Sequence, residues 1–452
     1  MENQENEHIE EEKTFFQSTT AKMLMVGFLT LVLLIPLFFV QDLIRERSQR
    51  KNQVVDKVTK LWGKDVLFYG PMLRIPYTTY EESNITNSKT GVVTVEKELV
   101  TNYAYFFPNE LKNTSTIKKN ESLKRGIFNT VVFTADMNFT GNFSNPNFTK
   151  LGIPDENIQW NKAALIVKTT NLKSIKSELK IQLNTEKFSF EPQNSDKSNY
   201  STLATENFDY KALISNEKLN FNFGITYNGS NSVKFIPVGK VTTVSVDSDW
   251  ESPSFEGSFA ASDTTKTISK NGFHADWKIL DINRTFTQQY AQEAPDLDEY
   301  SFGVKLIKTV DEYQQNERAS KYGFLVIGLT FLIFFLIQSI SKVNIHIFQY
   351  SMIGIALIMF YTLLISITEH STFSFAYTLA GIAVIAMITL YSISILKNKK
   401  FPMFIGISLT VLYSFIYVII QMEDYALLVG SIGLFLILGA VMYFSRKIDW
   451  SK

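Results

Sequence analysis

The chain has 452 residues, 45% of them apolar, with 44 Lys plus Arg against 44 Asp plus Glu and no cysteine. Balanced charge excludes the basic footprint of a nucleic-acid binder, and the lack of thiols removes disulfides, thiolate nucleophiles and sulfur-ligated metals together. A mean hydropathy of +0.01 averages a very apolar third with a polar middle, so the organisation has to be read along the chain.

Residues 1–22 begin with six glutamates in the first twelve positions and read as a solvated acidic tail. Residues 23–40 follow with no charge and with Pro36 as their one helix breaker. A signal peptide is the alternative reading. The apolar run is longer than a signal core, however, and Gln41-Asp42-Leu43-Ile44-Arg45-Glu46-Arg47 offers no small-x-small cleavage site, so 23–40 reads as an uncleaved transmembrane helix. The helix is expected to continue into water over 42–62.

The middle, 41–321, contains no further spanning run. Apolar residues alternate at Phe133, Ala135, Met137 and Phe139, starting from Val131, and again at Leu219, Phe221, Phe223, Ile225 and Tyr227, the period of half-buried strands. Asn228-Gly229 after the second run, followed by Val233 and Phe235, predicts a tight hairpin. Further strands are expected at 92–99, 164–170, 241–246 and 302–309, and a second juxtamembrane helix at 311–321. Spacing leaves open whether they form an antiparallel sandwich or one large twisted sheet.

From 322 to 444 five apolar runs stand almost end to end, at 322–340, 350–368, 373–396, 401–420 and 425–444. Each is long enough to cross about 30 Å of hydrocarbon at 1.5 Å per residue while pairing every backbone amide internally. Lys342, Lys397, Lys399, Lys400, Arg446, Lys447 and Lys452 all fall on alternate connections and the tail, whereas the loops at 369–372 and 422–424 carry no Lys or Arg. The excess places the first group, the tail 445–452 and the N-terminus in the cytoplasm and the middle region outside. Arg45, Arg47, Arg50 and Lys51, just after the first span, pull the other way; the short loops of the bundle are given precedence, because long domains cross largely regardless of charge.

There is no P-loop, no His-Glu-x-x-His, no Gly-x-Ser-x-Gly and no dinucleotide fingerprint. The five bundle runs hold no Asp, Glu, Lys or Arg, against a buried-charge transport path. No catalytic residue, metal ligand or cofactor is assigned. The candidate functional or docking residues are Glu369 and His370 after the third span and Glu423 and Asp424 after the fifth, which could converge on a proton or metal if those loops are adjacent. The plainer reading is that polar residues mark where helices leave lipid. His274, in a strand or turn, is expected to be a surface or packed residue.

Specific strings carry more than periodicity does. They include Leu43-Ile44-Arg45-Glu46-Arg47, Gly70-Pro71-Met72-Leu73-Arg74-Ile75-Pro76, Ser252-Pro253-Ser254-Phe255-Glu256-Gly257, Gly272-Phe273-His274-Ala275-Asp276-Trp277, Arg318-Ala319-Ser320-Lys321-Tyr322, Ser366-Ile367-Thr368-Glu369-His370 and Glu423-Asp424-Tyr425-Ala426. In order and across nearly the full length, they resemble the CreD family of bacterial inner-membrane proteins. The resemblance implies one N-terminal span, a large periplasmic domain and a C-terminal helical bundle, linked to cell-envelope integrity and envelope stress. It supplies no reaction and no catalytic residues.

The expected fold is therefore an α+β membrane protein: one N-terminal transmembrane helix, a large, mostly antiparallel β extracytoplasmic domain and a C-terminal bundle of five transmembrane helices. The expected partners are the lipid bilayer and an envelope protein, lipid or cell-wall precursor; oligomeric state is not legible. The expected role is non-enzymatic binding or scaffolding in envelope maintenance. The alternative is a membrane enzyme or transporter of lipid-linked envelope precursors working through the four acidic-cluster residues.

Overall fold

The computed structural model describes residues 19–86, 93–120, 123–125, 128–130, 132–193, 200–214, 218–306, 311–341, 343–396, 400–422 and 425–446. The chain divides into two compact units, Val54–Thr309 and a second made of Met1–Gln53 with Val310–Lys452. Helix α1 (Thr19–Trp62) runs through the boundary.

In chain order the β-rich unit contains β1 (Asp65–Thr86), β2 (Val93–Phe106), β3 (Glu110–Lys119), β4 (Phe133–Ser144), β5 (Ala164–Thr169), β6 (Lys180–Leu183), β7 (Glu186–Gln193) and β8 (Ser201–Thr205). A one-turn helix α2 (Tyr210–Leu213) follows. Then come β9 (Lys218–Gly229), β10 (Ser232–Phe235), β11 (Val241–Ser248), β12 (Ser254–Gly257), β13 (Thr267–Ser269), β14 (Gly272–Leu280), β15 (Gln289–Ala291) and β16 (Phe302–Lys305).

These form one hydrogen-bonded sheet of 16 strands, ordered β12-β16-β10-β1-β5-β8-β7-β6-β9-β4-β3-β11-β14-β13, with β2 on β1 and β15 on β2. Pairing is antiparallel except for β1 with β10 and β3 with β11. β7 makes the corner: Glu186–Ser189 pairs with β6 and Phe190–Gln193 with β8, so one strand serves two layers. The ladder thereby doubles back. Phe68 of β1 stacks on Phe139 of β4 at 4.1 Å, and Phe255 of β12 meets Trp277 of β14 at 5.9 Å, joining the two halves through aromatic side chains. The two alternatives left open by spacing are thus both present, as a single sheet folded into two facing layers.

The alternating runs are strands as expected: in β9 every second residue from Leu219 to Tyr227 is buried. The hairpin expected at Asn228-Gly229 does not form. β9 pairs with β4 and β6, and β10 with β1 and β16. The amides of Ser230 and Asn231 donate to the Lys64 carbonyl at 3.2 and 2.9 Å, while Asn231 Nδ2 and Ser232 Oγ donate to Asp65 Oδ1. Those bonds pull the chain after the turn onto β1 and into the facing layer. β1, the longest strand, carries Gly70-Pro71 inside it, where the register against β5 shifts between Tyr69 and Met72. A side chain at Gly70 would sit 3.0 Å from the Ile166 carbonyl.

The helical unit adds α3 (Glu312–Lys321), α4 (Gly323–Ser341), α5 (Ile347–Thr368), α6 (Phe373–Ile395), α7 (Lys400–Gln421) and α8 (Ala426–Ser445). Among the described residues six helices, α1 and α4 to α8, are long and apolar enough to cross a membrane. The protein is therefore α+β, with a large mostly antiparallel sheet and apolar helices at both ends of the chain. Leu33 and Leu37 of α1 pack where the bundle is small: a Cβ at Gly323 would lie 2.7 Å from Leu37 Cδ1, and one at Gly354 would overlap Leu33. The polar ends of this packing are Lys22, donating to Asn344 Oδ1 at 2.7 Å, and Gln41, donating to the Ser320 carbonyl at 2.9 Å. Their separation along α1, roughly 28 Å, matches a hydrocarbon core.

Candidate functional site

The polar groups of the helical unit gather where α1, α3 and the end of α5 meet. Glu369 caps α5, and its Oε1 lies 3.6 Å from Arg47 Nη1 of α1; its side chain is 17% exposed. Asp311 caps α3 by accepting the Tyr313 amide at 3.2 Å, and it also accepts from Lys51 Nζ of α1. The same ammonium sits 5.2 Å from the Tyr313 ring centre.

Burial pushes the Tyr313 phenol up to about 12, helped by the carboxylates of Glu369 and Asp311 and opposed by Arg47. Below this pair Asn316 is fully buried: its Nδ2 donates to the Glu312 carbonyl at 2.9 Å, and its Oδ1 accepts from Thr368 Oγ1 at 3.4 Å. A helix as polar as α3 can lie on an apolar bundle because its buried amide and hydroxyl are satisfied locally.

Of the four sequence candidates, Glu369 thus belongs to an ion pair that ties α1 to α5. His370 is exposed in the turn that follows, its backbone amide donating to Ile367 at 3.0 Å. Glu423 and Asp424 lie outside the described residues. The partners Arg47 and Lys51 escaped sequence reading because 322 and 260 positions separate them from Glu369 and Asp311. Chemically the cluster can clamp helices; it brings no nucleophile to a base.

The β-rich unit holds a second polar constellation. β14 and β11 pair so that His274 stands opposite Asp247. Its Nδ1 lies 2.8 Å from Asp247 Oδ1 and its Nε2 lies 3.1 Å from Asp276 Oδ2. The contact with Asp247 is the main reason the imidazole is held above its ordinary pKa; Asp276 adds to it and partial burial works against it. Burial also works against ionisation of Asp276, but hydrogen bonds with Ser245, His274 and Thr265 prevail and lower its pKa.

His274 is a surface residue as expected from sequence, but a doubly clasped one. The i, i+2 spacing of His274 and Asp276 in an alternating strand was the available signal, since it puts both on one face. The adjoining groove, about 460 Å³, is lined by Lys118, Asp249, Ser269 and Asn271 among others. With both ring nitrogens engaged by carboxylates, the imidazole has no free lone pair for a nucleophile's proton or a metal. No group of three or more metal-ligating side chains occurs among the described residues.

Arg284, 7% exposed, donates to the carbonyls of Phe286 at 3.0 Å and Gly239 at 3.0 Å and lies 3.9 Å from the Phe286 ring centre. Burial lowers its pKa to about 10. It staples two loops together, and nothing about it points to a ligand.

Comparison with known proteins adds what these clusters do not say. Inner membrane protein CreD of Escherichia coli (strain K12) is 25% identical to this chain over 433 residues, 93% of this chain and 91% of that protein. Among solved structures, a Legionella pneumophila protein described as nutrient-binding aligns with a TM-score of 0.24 and 9% identity, over 50% of this chain and 73% of that one. Native yeast LTA4 hydrolase aligns with a TM-score of 0.19 and 10% identity, over 50% and 35%. Overlaps that slight carry no argument. The family model described as inner membrane protein CreD matches residues 18–451, and the chain therefore belongs to the CreD family of inner membrane proteins.

Proposed function

We propose that the protein spans the inner membrane six times, with both termini in the cytoplasm and the β-rich region in the periplasm, and that it serves envelope integrity by binding rather than by catalysis. In domain terms, 1–22 is a cytoplasmic tail, 23–40 the first span, 41–321 the periplasmic region, 322–444 the five-helix bundle and 445–452 the C-terminal tail. The bundle anchors and orients the β region, which engages an envelope protein, a lipid or a cell-wall precursor.

The observation that carries this reading is the placement of charge. The apolar runs of the bundle contain no ionisable carboxylate or ammonium, and Glu369, the described acidic candidate, is spent on Arg47. A transporter or enzyme of lipid-linked precursors would need those acids available. Replacing Glu369, His370, Glu423 and Asp424 with Gln, Asn, Gln and Asn is expected to leave envelope resistance to detergents and β-lactams intact at normal protein levels. Loss of that resistance with the protein still present at wild-type amounts would favour the enzyme or transporter instead.

A further inference from the structure

β1 and β2 remain paired up to Thr86 and Val93, far beyond the strands that flank them. β5 leaves β1 at Arg74, the segment around Asn157 and Gln159 covers the β1 edge to Thr78, and β15 leaves β2 at Ala104. From Thr79 and Val100 onward the two strands continue as a ribbon about 25 Å long with no further strand beside it among the described residues. A lone two-stranded ribbon is marginal in water, and its open edge is a template for another strand.

One face of the ribbon carries four exposed apolar side chains, Tyr80 68%, Leu99 57%, Val95 52% and Tyr103 37%, with the Lys97–Glu82 ion pair at 2.8 Å set among them. Tyr80 stands opposite Leu99, whereas on the other face Glu81 stands opposite Glu98.

The main chain limits how the edge can be used. Tyr103 accepts from the Gln292 amide at 2.7 Å and the Phe107 amide donates to Gln288 at 2.9 Å, so odd-numbered residues of β2 aim their N–H and C=O groups outward. A second β2 that pairs antiparallel across a two-fold axis must therefore set odd-numbered residues opposite odd-numbered ones, with a single residue on the axis. Centring on Glu98 opposes two carboxylates, and centring on Val100 leaves only 99 and 101 to bond before 97 meets Tyr103, whose carbonyl Gln292 holds. Centring on Lys97 sets ammonium against ammonium. Centring on Thr101 sets Lys97 against Tyr105, whose edge Tyr290 already occupies. Centring on Leu99 sets Leu99 on Leu99, Val95 on Tyr103, Lys97 on Thr101 and Glu98 on Val100. Apolar residues at 95, 99 and 103 are symmetric about that axis, and no like charges in these pairs are opposed.

We propose that this edge is a self-association surface: β2 pairs with β2 of a second copy of the chain, antiparallel about a two-fold axis at Leu99. The ladder covers 97–101 and stops where Gln292 already holds the Tyr103 carbonyl.

The absence of native cysteine makes the register testable without background, using the full-length protein in its own membranes. Directly opposed residues in a hydrogen-bonded pair have Cα atoms about 5.5 Å apart, within disulfide range. Under mild oxidation Leu99→Cys is expected to move to twice the monomer mass on a non-reducing gel. Lys97→Cys and Thr101→Cys, each monomeric alone, are expected to cross-link when co-expressed. All three positions are exposed, and elution of the reduced variants at the wild-type volume verifies that they fold. The proposal is overturned if Leu99→Cys stays at monomer mass, forms an adduct of some other mass, or dimerises no better than Lys97→Cys alone.

Discussion

His274 is held by carboxylates on both ring nitrogens, and that arrangement favours the imidazolium, the only form that can donate from both. Its pKa is raised on folding, so the stabilisation is complete below the unfolded value of about 6.5 and disappears as pH rises through the higher folded value. The side chain is 35% exposed, which screens the pair and limits its worth to about 0.5–1 kcal/mol. His274→Gln is therefore expected to lower the melting temperature of the detergent-solubilised protein at pH 5.5 and to matter little at pH 8.5. An equal loss at both values would mean that packing, and not charge, is what His274 supplies. The clamp on Lys51 differs in kind: Lys51 and Asp311 are 18% and 23% exposed, so removing either leaves a poorly hydrated charge at the Tyr313 ring.

At the scale of elements, α1 is seated by small residues on its partners. Gly354 is occupied from the other side by Leu33, and Phe331 lies 3.0 Å from the position of an added Cβ. Gly354→Leu forces α1 away from α5 at a cost of about 1–3 kcal/mol, and Leu33→Ala, by vacating the same space, is expected to recover part of it. Melting of the single and double variants in detergent measures this; a Gly354→Leu protein that melts like wild type would show that α1 is not seated there.

Elements also show where sequence reading stops. The apolar runs were legible because length and hydropathy are local properties, and α3 was legible from its position next to the first bundle run. β1 was not, since Gly70-Pro71 punctuates it as a turn would, while in the sheet the interruption is a register shift against β5. The hairpin at Asn228-Gly229 failed for a related reason: turn chemistry predicts a bend but not which strand receives the chain, and Lys64 and Asp65, more than 160 residues earlier, decide that. The candidate site follows the same division. Glu369 could be found at a helix end, whereas Arg47 could be matched to it only after folding.

For the whole molecule, the family assignment and the six apolar helices make this an inner-membrane protein with several spans. Binding to periplasmic envelope components further requires the β-rich region to lie on the periplasmic side. Asn222 of β9 is exposed, as is Arg446 after α8, and neither competes with a native thiol. Single substitutions Asn222→Cys and Arg446→Cys, treated with a membrane-impermeant maleimide in intact spheroplasts, measure sidedness directly. With the β-rich region in the periplasm and the C-terminus in the cytoplasm, Cys at 222 is labelled at once and Cys at 446 reacts only after lysis; protection at 222 with labelling at 446 would contradict this placement.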